Sequence, residues 1–185
     1  MPAFILALLL SFAAAVTTAE SVVVAQSQPG RQEVLRLLEG YEWRLNSAHF
    51  EHLGPLTYRT LIEIIGDEAS LSYVQGRAFA GLTLFNNDEV WQFLLTRLAT
   101  STGDSVRRRA LETICELFSE TKSEQLASLL PPYLQSDDVH LRTKVARCLT
   151  RVDQLNPKIE TSLVLRAYRD SIQERWEVRA AGFEQ

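Results

Sequence analysis

The residues in this sequence whose types and spacing could support chemistry are two histidines that flank a glutamate. His49 and His52 stand on either side of Glu51 in the segment AHFEHL, so two imidazoles and a carboxylate could approach one zinc ion. The histidines are three residues apart, however, not four, and the sequence places no further ligand beside them. We therefore interpret this segment as a solvated connection between helices, and we predict neither a metal nor a cofactor.

Other segments that could serve catalysis or phosphate binding have simpler structural interpretations. The sequence contains no GxSxG, HExxH or paired catalytic motif. Gly76 and Gly81 lie inside a predicted helix with no following Lys-Ser or Lys-Thr, so close helix packing explains them better than a phosphate loop. The three arginines at 107–109 are predicted to form a solvated face, with Arg108 paired to Glu112 one helical turn later. These patterns do not predict an enzyme.

Composition and charge describe an ordinary folded protein and exclude one class of partner. The chain has 185 residues, of which 46% are hydrophobic and 23% charged, as expected for a single folded domain. Nineteen Lys and Arg against 23 Asp and Glu give a net charge of -4. Duplex binding depends on neutralising phosphates with an excess of positive charge, so we predict no nucleic-acid partner.

The first residues have the character of an export signal. Residues 3–16 read AFILALLLSFAAAV, which is shorter than the about 20 apolar residues that a membrane span needs. Small residues behind this stretch predict cleavage after Ala19 or after Ala25, although no Lys or Arg precedes it, and an uncleaved anchor is the alternative. We predict a signal peptide over 1–25, a linker over 26–31 and one helical domain over 32–185. The protein is then exported to a periplasmic or extracellular location and meets the membrane only through its leader.

The rest of the chain predicts an all-α protein. Apolar residues recur at helical spacing from about Gln32 onwards, with a first helix extending to about Asn46. Asn87-Asp88 and Gly103-Asp104 have the types that begin helices, whereas Pro131-Pro132 must end or bend one. Nine helices are predicted in total.

Alternate helices share one pattern. The four segments QGRAFAGLTLF, RRRALETICELF, RTKVARCLTRV and RAAGFEQ begin 32, 35 and 37 residues apart, and each follows an apolar residue. One other amphipathic helix lies between successive copies, so each unit is a helical hairpin that must stack on its neighbours. We expect the four preceding residues to occupy equivalent places and two of them, Val106 and Leu141, to be buried. The four are Val74, Val106, Leu141 and Val178.

At these residues the chain resembles the HEAT repeats. SDDVHLRTKVARCL and TGDSVRRRALETICEL are similar to the family's acidic turn, apolar-Arg pair and small-Leu spacing. The period is shorter than that of long HEAT units and is similar to that of compact bacterial HEAT-like repeats, which include phycobilin lyase subunits. Two departures are the absence of the Asp-Pro turn and Gln75 in place of the first Arg. The resemblance, from about Leu56 to the C-terminus, implies an α-solenoid, a right-handed superhelix of stacked hairpins of the armadillo type.

The resemblance also implies where a partner would bind. The second helices of HEAT hairpins line the concave side, and exposed aromatic and Arg residues dominate interface energies. An alternative for Trp91 and Tyr168 is that they belong to the core. The candidate partner-binding residues are Trp91, Arg97, Tyr133, Arg166, Tyr168 and Arg169.

The two cysteines occupy neighbouring helices of the same class. Cys115 and Cys148 have no CxxC spacing, so they do not form a metal or redox pair of that type. We favour two buried free thiols, with a disulfide between them as the alternative in an exported protein.

These observations lead to one function and two alternatives. The predicted function is a non-enzymatic exported scaffold that presents a concave helical surface to a protein or peptide. The alternatives are a HEAT-like lyase-type enzyme subunit, which a Cys or His on the concave face would favour, and a structural fragment of a larger array. The copy that starts at Arg179 has no second helix after it, so we also predict an open repeat edge there for docking.

Overall fold

The computed structural model describes residues 28–157, 161 and 164–173, and these residues confirm the all-α class. They contain no β-strand, and residues 164–173 are also helical. The predicted leader, Val178 and the open edge after Arg179 lie outside the described residues. The helices are α1 (Arg31–Glu39), α2 (Ser47–Leu53), α3 (Thr57–Gly66), α4 (Ser72–Leu82), α5 (Asp88–Thr100), α6 (Asp104–Phe118), α7 (Ser123–Leu129), a 3-10 helix (Pro131–Gln135) and α8 (Val139–Leu155).

Several helix ends follow from local side-chain chemistry. Asn87 caps α5 as predicted, because its side chain accepts a hydrogen bond from the N–H of Val90 (2.9 Å). α6 begins immediately after Gly103, and α7 gives way to the 3-10 helix at Pro131, since proline supplies no backbone donor.

The predicted first helix is wrong at its C-terminal end. α1 stops at Glu39 because Gly40 takes an extended conformation, and Tyr41 is 99% exposed instead of continuing the apolar stripe. The segment AHFEHL forms α2, which Asn46 caps through the N–H of Ala48, so it is a short helix and not a simple connection.

Residues that the sequence assigned to a linker contact α3. The side-chain amide of Gln28 donates to the hydroxyl of Thr60 (3.0 Å), and that hydroxyl donates to the carbonyl of Pro29 (3.0 Å). Arg31, the first residue of α1, forms an ion pair with Asp67 just after α3. Residues 28–31 are therefore attached to α3 and to the residue that follows it.

Helix contacts run along two rows. α4 contacts α6, and α6 contacts α8; in the other row, α1 and α5 contact α3. The rows are joined by contacts of α1 and α3 with α4 and of α5 with α6, and α7 and the 3-10 helix pack on α8. Within the described residues no helix is long and apolar enough to cross a membrane.

Three helices of one row bury the same positions. The third, seventh and eleventh residues of α4, α6 and α8 all lie in or against the core. Leu141 is fully buried as expected, but Val106 is only partly buried, which corrects its prediction. The equivalent sets are Val74, Val106 and Leu141; Ala78, Ala110 and Val145; and Leu82, Ile114 and Leu149.

The fourth residues of the same helices share a polar role. Gln75 donates to the carbonyl of Asp67 (2.9 Å), Arg107 to that of Leu98 (3.3 Å), and Arg142 to those of Ser136 and Asp137 (3.1 Å to Asp137). Asp67 directly follows α3, and Leu98 lies in the last turn of α5. Ser136 and Asp137 lie between the 3-10 helix and α8. Gln75, the departure from the HEAT pattern, thus makes the same kind of bond as the two arginines.

The close packing predicted at Gly81 is present. A Cβ atom built there would lie 3.1 Å from the ring of Phe50 and 3.2 Å from Leu61, both of which are buried. A Cβ at Gly76 would instead lie 2.7 Å from the guanidinium of Arg109 on α6.

Candidate functional site

The predicted partner-binding residues lie on separate helices, and one of them is in the core. Trp91 is only 4% exposed, and its ring meets that of Phe118 edge-on at 5.0 Å between centroids. The prediction that it forms part of an exposed surface is therefore wrong, and the core alternative holds for this residue. The position of Trp91 one turn into α5, facing α6, explains its burial.

The other five predicted residues have at least partial access to solvent. Arg97 on α5 is partly exposed, and its guanidinium lies over the ring of Phe93 (5.3 Å to the centroid). Tyr133 in the 3-10 helix is partly buried against the core. On the helix over 164–173, Arg166 and Arg169 are exposed and Tyr168 is partly buried.

Two cavities flank the outward side of α8, and they share two arginines. The first, of about 380 Å³, lies between α6 and α8, and the second, of about 440 Å³, lies between α8 and the helix over 164–173. We call Arg147, Arg151 and these two cavities the α8 face. The first cavity is lined by Leu111, Glu112, Cys115, Glu116, Lys144, Arg147, Cys148 and Arg151, and the second by Thr143, Ala146, Arg147, Thr150, Arg151, Gln154, Tyr168 and Ile172.

A disulfide holds the two walls of the first cavity together. Cys115 of α6 is bonded to Cys148 of α8, with 5.6 Å between their Cα atoms. The prediction of two free thiols is wrong, and the alternative of a disulfide is correct. The period of the sequence pattern places both residues on neighbouring helices, but only the packing of α8 on α6 brings their sulfur atoms together.

Ion pairs reinforce the same contact. The Lys144 ammonium lies 2.9 Å from a carboxylate oxygen of Glu112, and Arg108 pairs with Asp138 at the start of α8 (2.8 Å). Arg108 also approaches Asp104 at 3.8 Å, so its predicted pairing with Glu112 is wrong. Glu112 is held across the helix contact by Lys144 instead.

The carboxylate of Asp138 is stabilised in its charged form. Burial acts to raise its pKa, but hydrogen bonds from the N–H groups of Leu141 and His140, together with the Arg108 guanidinium, hold the pKa of Asp138 below its usual value. The charged aspartate therefore persists at neutral pH, and it anchors the N-terminus of α8 beside α6.

Arg147 and Arg151 are candidate site residues that the sequence analysis did not single out. They are exposed, four residues apart, and neither forms an ion pair or hydrogen bond with the other described residues. They lie on the helix face opposite Leu141, Val145 and Leu149, and this amphipathic spacing was the available signal.

Thr161 and the helix over 164–173 lie against the second half of α8. The Thr161 hydroxyl shares its one hydrogen between the Leu149 carbonyl (3.3 Å) and the carboxylate of Asp153 (3.0 Å). This contact holds Thr161 against the second half of α8, and the helix over 164–173 lies beside α8. Tyr168 and Ile172 thereby reach the second cavity.

The remaining candidates for chemistry stand apart from the α8 face. His49, Glu51 and His52 are exposed on α2, and the described residues contain no group of three or more His, Cys, Asp or Glu that could hold a metal ion. Both cysteines of the chain are in the disulfide, so neither provides a thiol nucleophile.

Comparisons with protein-family models, with curated proteins and with solved structures give no match. The described residues thus form an all-α protein in which a disulfide links α6 to α8, and Arg147 and Arg151 are exposed on α8.

Proposed function

We propose that this chain is a non-enzymatic scaffold that binds a protein or peptide partner, and that the α8 face is part of its binding surface. The observation that carries the proposal is the pair of open cavities beside Arg147 and Arg151, two charged groups without partners among the described residues. Arginine and tyrosine are enriched among residues that dominate interface energies, and Tyr168 lines the same face.

The proposal includes a HEAT-like solenoid built as a right-handed superhelix. Its support is the contact of α4 with α6 and of α6 with α8, together with the burial of equivalent positions in the three helices. The bonds of Gln75, Arg107 and Arg142 to preceding carbonyls add a repeated polar feature. Stacked units of this kind offer extended surfaces, which suits a binding role.

Export of the protein is also part of the proposal. The disulfide supports it, because disulfides persist in oxidising compartments and are rare in the cytosol. Intact-mass measurement of exported protein should give a chain that lacks residues 1–19 or 1–25. A full-length mass in the membrane fraction would contradict export with cleavage.

The binding role can be tested without assuming a partner. We would select ligands for the purified oxidised protein from a random displayed peptide library, then measure the affinity of the selected peptides in solution. We expect binders whose affinity falls when Arg147 and Arg151 are both replaced by Glu. The matched control is Arg36→Glu on α1, another exposed arginine, which should leave affinity unchanged.

The outcomes separate a binding module from the alternatives. Failure to obtain any peptide that binds the native protein, or binding that ignores the α8 face, would contradict the proposal. A lyase-type enzyme with a thiol nucleophile is disfavoured because both cysteines are bonded to each other.

A further inference from the structure

We infer that the α8 face recognises an acidic peptide segment that carries apolar side chains next to its carboxylates. This inference rests on the proposed binding function and names the chemistry of its partner.

The positive charge of the α8 face favours a partner with negative charge. Arg147 and Arg151 project from α8 one turn apart, and two guanidinium groups at that spacing can each pair with a carboxylate. The second cavity has no acidic residue among its lining side chains. In the first cavity Glu112 is already engaged by Lys144, which leaves Glu116 as the one lining carboxylate without an ion pair among the described residues.

The two cavities beside the arginines favour a partner that also carries apolar side chains. The second cavity has apolar surface from the partly exposed Ala146, Tyr168 and Ile172, and the first has it from the partly exposed Cys115 of the disulfide. Volumes of about 380 and 440 Å³ fall within the range of small-molecule sites, so each can take an apolar side chain. A peptide that crosses α8 would place its carboxylates on the arginines and its apolar groups in the two cavities.

The face is held in position before any ligand arrives. Cys148 directly follows Arg147, and its bond to Cys115 fixes this turn of α8 against α6. The Thr161 hydroxyl adds hydrogen bonding to Leu149 and Asp153 in the second half of α8. A rigid surface loses little conformational entropy on binding, and this favours recognition of a short segment.

The test uses the oxidised full chain and synthetic fluorescent peptides. The first peptide alternates Glu with Leu, and its matched control replaces each Glu by the isosteric Gln. We expect the Gln peptide to bind at least about tenfold more weakly, and we expect added salt to weaken the Glu peptide alone. Arg147→Glu with Arg151→Glu should remove binding of the Glu peptide, whereas Arg36→Glu should not.

A second variant keeps the result interpretable if charge reversal disturbs folding. Arg147→Lys with Arg151→Lys retains the charge but removes the planar donor pair, so it should bind the Glu peptide with intermediate affinity. Equal affinity of the Glu and Gln peptides would overturn the inference. If library peptides bind the α8 face without any dependence on charge, the inference fails while the proposed binding function stands.

Photo-crosslinking identifies what covers the face. A p-benzoylphenylalanine at Thr150, an exposed residue that lines the second cavity, should capture the Glu peptide when it is present. Capture of a second copy of this chain, or of the chain's own residues 174–185 in preference to the peptide, would assign the face to that occupant and overturn the inference.

Discussion

The guanidinium of Arg108 on α6 donates a hydrogen bond from Nε to Oδ2 of Asp138, the residue that caps α8 (2.8 Å). The other carboxylate oxygen, Oδ1, accepts from the N–H of His140 (2.9 Å). The Asp138 side chain is only 7% exposed, so this geometry is shielded from bulk water. A single carboxylate therefore both begins α8 and holds its first turn against α6.

Removing that carboxylate should destabilise the protein. We expect Asp138→Ala to lower the free energy of unfolding by about 1 to 2 kcal/mol, because the helix loses its cap and Arg108 loses its partner. Asp138→Asn should cost less, since Asn also caps helices. Urea denaturation measures both. Asp137→Ala, at an exposed neighbour, serves as the control and should change stability by less than about 0.5 kcal/mol.

The free energy of unfolding should decrease in acid, as three carboxylates with lowered pKa values become protonated. The N–H of Ala69 chiefly lowers the pKa of Asp67, and the Tyr58 hydroxyl chiefly lowers that of Glu89 (2.7 Å). The pKa of Asp138 is lowered as well. A folded-state pKa below the unfolded value, about 4 for a free carboxyl, means that the unfolded chain takes up protons first as the pH falls.

The contribution of these groups is therefore complete above the unfolded pKa and is lost as the pH falls through the folded pKa. Urea denaturation repeated between about pH 5 and pH 2 should show this decline. Asp138→Asn should make the slope of stability against pH shallower, because position 138 no longer titrates. An unchanged slope in that variant would mean that Asp138 has the same pKa in both states.

Two equivalent apolar positions should differ in their tolerance of charge. Leu141 and Val106 are each the third residue of a helix, where an Asp side chain would meet the free N–H groups of the first turn in both cases. Leu141 is fully buried, so Leu141→Asp should cost about 3 kcal/mol or more. Val106 is partly exposed, and Val106→Asp should cost clearly less. Equal losses in thermal or urea unfolding would contradict this ranking.

Two glycines of α4 should respond to alanine in opposite directions. At Gly76 the new methyl group would meet the flexible end of Arg109, which can swing away, so Gly76→Ala should stabilise the protein by up to about 1 kcal/mol through helix propensity. At Gly81 it would meet Phe50 and Leu61, which are buried and cannot move freely. Gly81→Ala should therefore destabilise by about 1 to 3 kcal/mol. A stabilising Gly81→Ala in urea denaturation would show that this contact has room.

The disulfide should contribute substantially to stability. Its cysteines are 33 residues apart, and closing a loop of that length in the unfolded chain is worth about 3 to 4 kcal/mol in the chain-entropy account. We expect reduction by a dithiol to lower the urea midpoint of the native protein. The variant with Cys115→Ser and Cys148→Ser should already have the lower midpoint and should not respond to the reductant. Coincident curves for the oxidised and reduced native protein would refute the expectation.

Helices and their starting points were predictable because the signals are local. Asn87 and Gly103 act on backbone groups within one turn, and Pro131 acts on its own segment, so neighbouring sequence carries the information. The first helix was overestimated because its apolar spacing continues through Tyr41, while Gly40 ends it by backbone conformation.

The site was less predictable because it depends on distances between helices. Arg108 has an acidic residue one turn later at Glu112, yet the packing of α8 offers it Asp138, and Glu112 takes Lys144 instead. For the same reason, the repeat period offered the disulfide only as an alternative, because it places Cys115 and Cys148 on neighbouring helices without giving the distance between them. Trp91 has the residue type of an interface, but its helix turns it towards Phe118 and the core.

The bond between Cys115 and Cys148 also decides how the protein would carry a mechanical load. When the chain is drawn from its two ends, force passes from α6 to the second half of α8 directly through the sulfur atoms. The intervening α7, 3-10 helix and first half of α8 lie off that path and bear no tension. The bond closes a loop of 33 residues. At about 3.4 Å for each extended residue, a pulled molecule with the bond intact would be about 110 Å shorter than one without it. Tension applied in an oxidising compartment would thus bypass this loop and act on the remaining helices.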